Sequence, residues 1–157
     1  MGGASREQNL ISVNTTAGLH QALAATACEV YSADMRVKVS ATGLYTYPDV
    51  VVTCEQPRFE DDKLDTLVNP QLIVEVLSES TEQYDRGKKF EQYRHIDSLR
   101  EYVLVAQDRP YVERYLKNAE GQWVLSDATG LDAMIELSSV GCALALREVY
   151  AKVLLTE

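Results

Sequence analysis

No stretch of this 157-residue chain approaches the apolar length needed to span a bilayer as a helix, and its start, "MGGASREQNL", has no apolar signal core. Both absences point to a cytoplasmic protein without a membrane partner. Basic charge is scarce: 15 Lys and Arg stand against 24 Asp and Glu, a net charge of −9. Broad affinity for nucleic acid is therefore not expected of an isolated monomer, since the phosphate backbone is drawn to basic surface; a local basic groove stays compatible with this balance. Cysteine is also sparse. Cys28, Cys54 and Cys142 are far apart, odd in number and flanked by apolar residues, so they read as buried small hydrophobes, with neither a zinc spacing nor a disulfide framework. His20 and His95 lie in helical patterns and read as surface or packing residues. A Walker loop, a GxGxxG turn and a nucleophile elbow are all missing, which leaves a small enzyme on a non-nucleic-acid substrate without a motif to support it.

What is present is the composition of a globular protein, 46% hydrophobic and 25% charged. Residues 1–157 suffice for one domain with a real core and are too few for two comfortable ones. "SREQNLISVNTTAGLHQALAAT" has the spacing of an amphipathic helix with Leu10, Val13, Ala17 and Leu23 among its apolar positions, and Ser5 with Gln8 fits a capping box. Short strands follow in "CEVYSA", "MRVKVS" and "DVVVTC". The acidic segment "EQPRFEDDKLDTLVNP" reads as an exposed loop, and "QLIVEVLS" as a further strand. "STEQYDRGKKFEQYRHI" has helical spacing, with Phe90, Tyr93 and Ile96 on its apolar edge, weakened by about 1 kcal/mol at Gly87 relative to Ala. A meander of "EYVLVA", "YVERYLK" and "QWVLSDA", a strand "AMIELS" and a helix "LREVYAKVLL" close the chain. The order of elements predicts an α/β or α+β domain with a mixed central sheet.

Two of these strands carry a carboxylate where none belongs in a plain core. Asp49 precedes three valines, and Glu75 sits within "LIVEVL". A buried ionised group is costly unless it is paired, hydrogen-bonded or bound to a cation. If the two strands are neighbours, one shared cation accounts for both; carboxylate oxygens are hard ligands, so that cation would be Mg²⁺ or Mn²⁺. Asp85 and Lys89 lie four apart on the following helix, so Lys89 can reach back to Glu75 while Asp85 orients it. Lys88 is turned about 100° away and reads as solvated. The plainer readings stand beside these: backbone amides or an arginine can satisfy a buried acid, Asp49 can serve a turn after Pro48, and Asp85 with Lys89 can be a surface ion pair.

The strings "YPDVVV", "NPQLIVEVLSEST" and "YDRGKKFEQYRHIDSLREYVLV" together resemble the Uma2 family, also called DUF820, of endonucleases with the PD-(D/E)XK restriction-endonuclease-like fold. The resemblance implies a mixed central sheet flanked by helices, with Asp49 as the acid of the first half-motif and Glu75 as that of the second. It implies that Lys89 takes the role of the lysine expected where Leu77 stands. The carbonyl of Val76 is the implied third metal ligand, and Asp34 matches another acidic position of the family. Relatives usually carry an earlier segment containing "GE", which "MGGAS" lacks, and often a histidine where Gln8 stands.

The activity implied is Mg²⁺-dependent (or Mn²⁺-dependent) hydrolysis of DNA phosphodiester bonds, with Arg36, Lys38, Arg86, Lys88 and Arg94 supplying basic surface and a homodimer suiting double-strand cleavage. The alternative is a nuclease fold that no longer cleaves and serves as an interaction or DNA-binding module. Tyr102 to Val105 is expected to cover the site strands, and Trp123 to be core or dimer contact.

Overall fold

A computed structural model describes residues 4–155. Its centre is a six-stranded sheet in the order β1 (Glu29–Tyr31), β4 (Val50–Thr53), β6 (Leu72–Val76), β7 (Glu101–Val105), β8 (Tyr111–Lys117) and β9 (Trp123–Thr129). β6 and β7 run parallel and the other neighbours antiparallel, which makes the sheet mixed as its pattern predicts. A three-stranded sheet places β2 (Arg36–Val39) between β3 (Leu44–Thr46) and β5 (Thr66–Leu67), and β10 (Met134–Leu137) pairs with β11 (Cys142–Ala145).

The apolar runs of β4 and β6 follow from burial on both faces of the sheet. Val50, Val52, Leu72, Val74 and Val76 pack with α1 (Arg6–Leu23), β10 and β11. Val51, Ile73 and Leu77 point the other way, into a layer with Val37, Val39, Phe90 and Tyr93. The strand period of two therefore turns the side chains at positions 49 and 75 toward this second layer, under the helical segment that follows β6.

Several expectations change. The buried stripe of α1 is Ile11, Thr15, Leu19 and Leu23; Val13 is 63% exposed. Thr15 breaks the apolar pattern, yet an i, i+4 row built on Ile11 and Leu19 gives α1 its contact with the sheet. Ser5 caps α1 by accepting from the Gln8 amide at 3.1 Å, but the Gln8 side chain donates to the Val76 carbonyl at 3.4 Å and does not close the capping box. The acidic loop is not all exposed: β5 pairs parallel with β2, Leu67 is fully buried, and buried Asn69 holds the Arg58 amide and the Gln56 carbonyl. At the carboxyl end, β11 turns back from β10 through Gly141 at φ +74°, and the expected long helix shrinks to α4 (Leu146–Val149).

The helix after β6 is interrupted. α2 (Glu82–Tyr84) runs into a π-helical turn (Asp85–Lys89) and on into α3 (Phe90–Tyr93). Gly87 lies inside that turn, and the Tyr102 hydroxyl donates to the Asp85 carbonyl at 2.9 Å, occupying an acceptor of the regular helical ladder.

Cys28 and Cys54 form a disulfide, contrary to their reading as separate buried thiols; Cys142 is free. Pairing of Glu29 with Thr53 brings the two sulfurs together across antiparallel strands, a proximity that sequence spacing hides. Closing a 26-residue separation is expected to stabilise the fold by about 3 kcal/mol, checked by urea unfolding with and without reductant. No described helix is long and apolar enough to cross a membrane.

Candidate active site

The register of β4 and β6 places Val50 opposite Val74, so Asp49 and Glu75 meet one step beyond it, on the same face. The Val76 amide donates to Asp49 Oδ2 at 2.8 Å, and the Asp49 amide approaches Glu75 Oε1 at 3.4 Å. Each acid is thus tied to the other's strand. Glu75 is only 3% exposed, and its Oε2 accepts from Lys89 Nζ at 2.7 Å and from the Tyr93 hydroxyl at 2.9 Å. Lys89 also stands 3.7 Å from Asp85 Oδ1, while Thr81 donates to Asp85 Oδ2 at 3.2 Å.

Burial dominates the electrostatics. It pushes the Glu75 carboxyl from 4.5 up to about 7; Lys89 opposes the rise, and the nearby Asp49 charge adds to it. Asp49 is raised by burial, against which the Val76 amide, Lys89 and a hydrogen bond with the Glu75 carboxyl act. Asp85 is raised for the same reason and is likewise opposed by Lys89. Burial alone would lower Lys89, but the Glu75 carboxylate and its hydrogen bond hold the ammonium above its ordinary value. Desolvation and the Glu75 charge keep the Tyr93 phenol protonated, so it serves Glu75 as a donor.

The structure therefore brings together Asp49, Glu75, Asp85, Lys89 and the backbone of Val76. Asp34 stands apart, exposed in the turn between β1 and β2, beside α1 residues Val13 and His20. Lys88 is exposed as expected. The other expected basic groups are largely neutralised at home. Lys38 pairs with Glu60 at 2.8 Å, Arg36 reaches Asp65 at 3.9 Å, and Arg86 pairs with Glu82 and Glu113. Arg94 lies over the Phe90 ring at 4.7 Å.

Sequence patterning marks Tyr93 only as an apolar edge and does not connect Gln8 with the strand acids. The signal for Tyr93 is its place four residues beyond Lys89, itself four beyond Asp85. No local signal exists for Gln8, whose contact with Val76 spans 68 positions. Trp123 packs edge-on against Phe90 with ring centroids 5.4 Å apart, in keeping with a core role.

A family model described as "Putative restriction endonuclease", Uma2, matches residues 1–147. This chain belongs to the Uma2 family. It is 38% identical over 152 residues to the Synechocystis protein slr1290, covering 96% of this chain and 77% of that protein. It is 38% identical over 136 residues to sll1609 of the same organism, covering 87% and 77%. A crystal structure described as a putative nuclease belonging to DUF820, from Anabaena variabilis, superposes with a TM-score of 0.75 over 98% of this Uma2 chain and 85% of its own, at 15% identity. The mixed sheet with flanking helices is therefore the fold expected from the motifs.

Among the described residues, no group of three or more His, Cys, Asp or Glu side chains is arranged to hold a metal ion. The donors fit a Mg²⁺-like ion all the same. Such an ion takes one or two carboxylates and keeps several waters, and here buried Glu75 and half-buried Asp49 face each other at a cost that a divalent charge would relieve.

Proposed function

We propose that this chain is a Mg²⁺- or Mn²⁺-dependent endonuclease hydrolysing DNA phosphodiester bonds, with Asp49, Glu75 and Lys89 at its centre. The observation that carries this reading is the meeting of buried Glu75 and half-buried Asp49 on adjacent strands, with Lys89 Nζ 2.7 Å from the Glu75 carboxylate. Asp49, Glu75 and the Val76 carbonyl would hold the cation. When bound, it would supply an acidified water and neutralise charge on the phosphate.

The chain's own residues do the rest. Asp85 and Thr81 fix the Lys89 side chain, and Lys89 with Tyr93 fixes Glu75 Oε2, leaving Oε1 turned toward Asp49. Lys89 stabilises negative charge gathering on the phosphoryl oxygens, and Glu75, poised near neutrality, accepts a proton from the attacking water. Gln8 steadies the Val76 carbonyl through its amide.

A homodimer belongs to this reading, since two facing sites suit the two strands of a duplex. β9 supports it, as an edge strand of the central sheet with Val124 and Leu125 52% and 51% exposed. The rival reading, a nuclease fold used only for interaction, is favoured by the internal pairing of Arg36, Lys38 and Arg86.

The deciding experiment titrates Mg²⁺ and Mn²⁺ by calorimetry into wild type, Asp49→Asn and Glu75→Gln, and incubates the same samples with plasmid DNA. Metal binding and nicking by wild type alone are expected. A wild type that binds neither metal and leaves plasmid intact sinks the proposal.

A further inference from the structure

A polar cavity of about 540 Å³ opens at the end of the central sheet opposite Asp49 and Glu75. Thr53 at the end of β4, Gln71 just before β6, Arg100 just before β7, Lys117 at the end of β8 and Ser139 after β10 meet there. Asp49 and Thr53 stand at opposite ends of β4, so the two places are separated by about 13 Å along the strand.

Arg58, Arg100 and Lys117 reach into the wall of this cavity, and among the described residues none of them has a carboxylate within ion-pairing distance. Around the acid pair and its neighbouring layers, by contrast, Arg36, Lys38, Arg86, Lys89 and Arg114 all face acids. Glu55 and Asp97 share the wall without forming a pair with the three cations.

Register makes the arrangement more pointed. Glu101 lies opposite Leu116, so Arg100 lies opposite Lys117, and the Lys117 amide donates to the Arg100 carbonyl at 2.9 Å. Like charges directly across two strands repel and destabilise. The wall that carries them is also fixed in advance. Buried Asn69 accepts from the Arg58 amide at 2.8 Å, the Arg100 amide donates to the Gln71 carbonyl at 2.9 Å, and Ser98 Oγ donates to the Pro70 carbonyl at 2.7 Å.

We infer that this cavity is a binding site for a phosphate ester of nucleotide size. Two guanidinium groups and an ammonium match the charge and forked acceptor geometry of a phosphate, and neutral polar side chains offer partners for a sugar or base. The volume lies within the range of small-ligand sites. The same chemistry is presented by a free nucleotide and by a phosphate of a single nucleic-acid strand. The site does not depend on catalysis by the acid pair, because no residue is shared.

Calorimetry with thymidine 5′-monophosphate and with a short single-stranded oligothymidylate tests this, on wild type, on a triple Arg58→Ala, Arg100→Ala, Lys117→Ala variant and on Lys63→Ala. A parallel set in a Glu75→Gln background separates this cavity from the acid site. Wild type and Lys63→Ala are expected to bind alike, and the triple variant to lose at least about tenfold in affinity for each charge removed. Its melting temperature should hold or rise, because the repulsion between Arg100 and Lys117 is gone; a merely structural role would lower it. Equal affinity for both probes identifies a free nucleotide, whereas tighter, strongly salt-dependent binding of the oligonucleotide identifies a strand. Failure of wild type to bind either probe, or unchanged affinity in the triple variant, overturns the inference whatever the plasmid assay shows.

Discussion

Replacing Lys89 with methionine is expected to slow the proposed DNA cleavage by about 10²- to 10³-fold, the usual cost of removing a preorganised group aimed at developing charge. The same change should destabilise the metal-free protein by about 3 kcal/mol at pH 8, since it leaves Glu75 buried without the cation 2.7 Å away. The pH dependence distinguishes this from simple loss of packing. The folded-state pKa of Lys89 is raised, so at the alkaline end the pairing is lost only as pH climbs past its ordinary 10.5 through the folded value; at the acidic end it fades as Glu75 takes up a proton around pH 7. Its removal is therefore felt most above neutrality, where Glu75 is ionised. On acidification the variant neutralises Glu75 by protonation, and the deficit shrinks. Urea unfolding with EDTA at pH 6 and pH 8 checks this; an equal deficit at both would mean that only volume was lost.

Glu75→Gln should produce the second large effect, on the pH profile of stability. Glu75 has a folded-state pKa of about 7 against an ordinary 4.5, so the native state holds this proton more tightly than the unfolded chain. Between those values the folded protein binds more protons, and stability falls as pH rises, by about 3 kcal/mol in all from this group. The variant should lose most of that fall. What remains comes from Asp49, Asp85 and Glu101, which burial also raises. Saturating Mg²⁺ should restore wild type at pH 8, through preferential binding to the folded state, and leave Glu75→Gln unchanged. Thermal unfolding across pH, with and without Mg²⁺, reads both outcomes. An unaltered slope in the variant would assign the proton to another group.

Much of the central sheet is legible without coordinates. "DVVVTC" and "LIVEVL" are apolar at successive positions because both faces are covered, and a carboxylate at the head of one run and within the other marks the candidate site. The i, i+4 spacing of Asp85 and Lys89 survives a π-helical turn that the same spacing does not foretell. By contrast, the apolar stripe of α1 is misleading, because Thr15 occupies a buried row while Val13 is exposed.

The amino-acid sequence by itself determined the family, the mixed sheet and the identity of the paired acids. These depend on local periodicity and on the desolvation cost of a charge within an apolar strand, both written along the chain. Only the tertiary structure decided that Cys28 meets Cys54, that Tyr93 shares Glu75 with Lys89, that Gln8 reaches Val76, and that Arg36, Lys38 and Arg86 are already paired. Apart from the Tyr93 spacing and the pairing of Arg86 with Glu82, these contacts join residues distant in the chain. They are fixed by strand register and by which layer each face covers, so no local pattern encodes them.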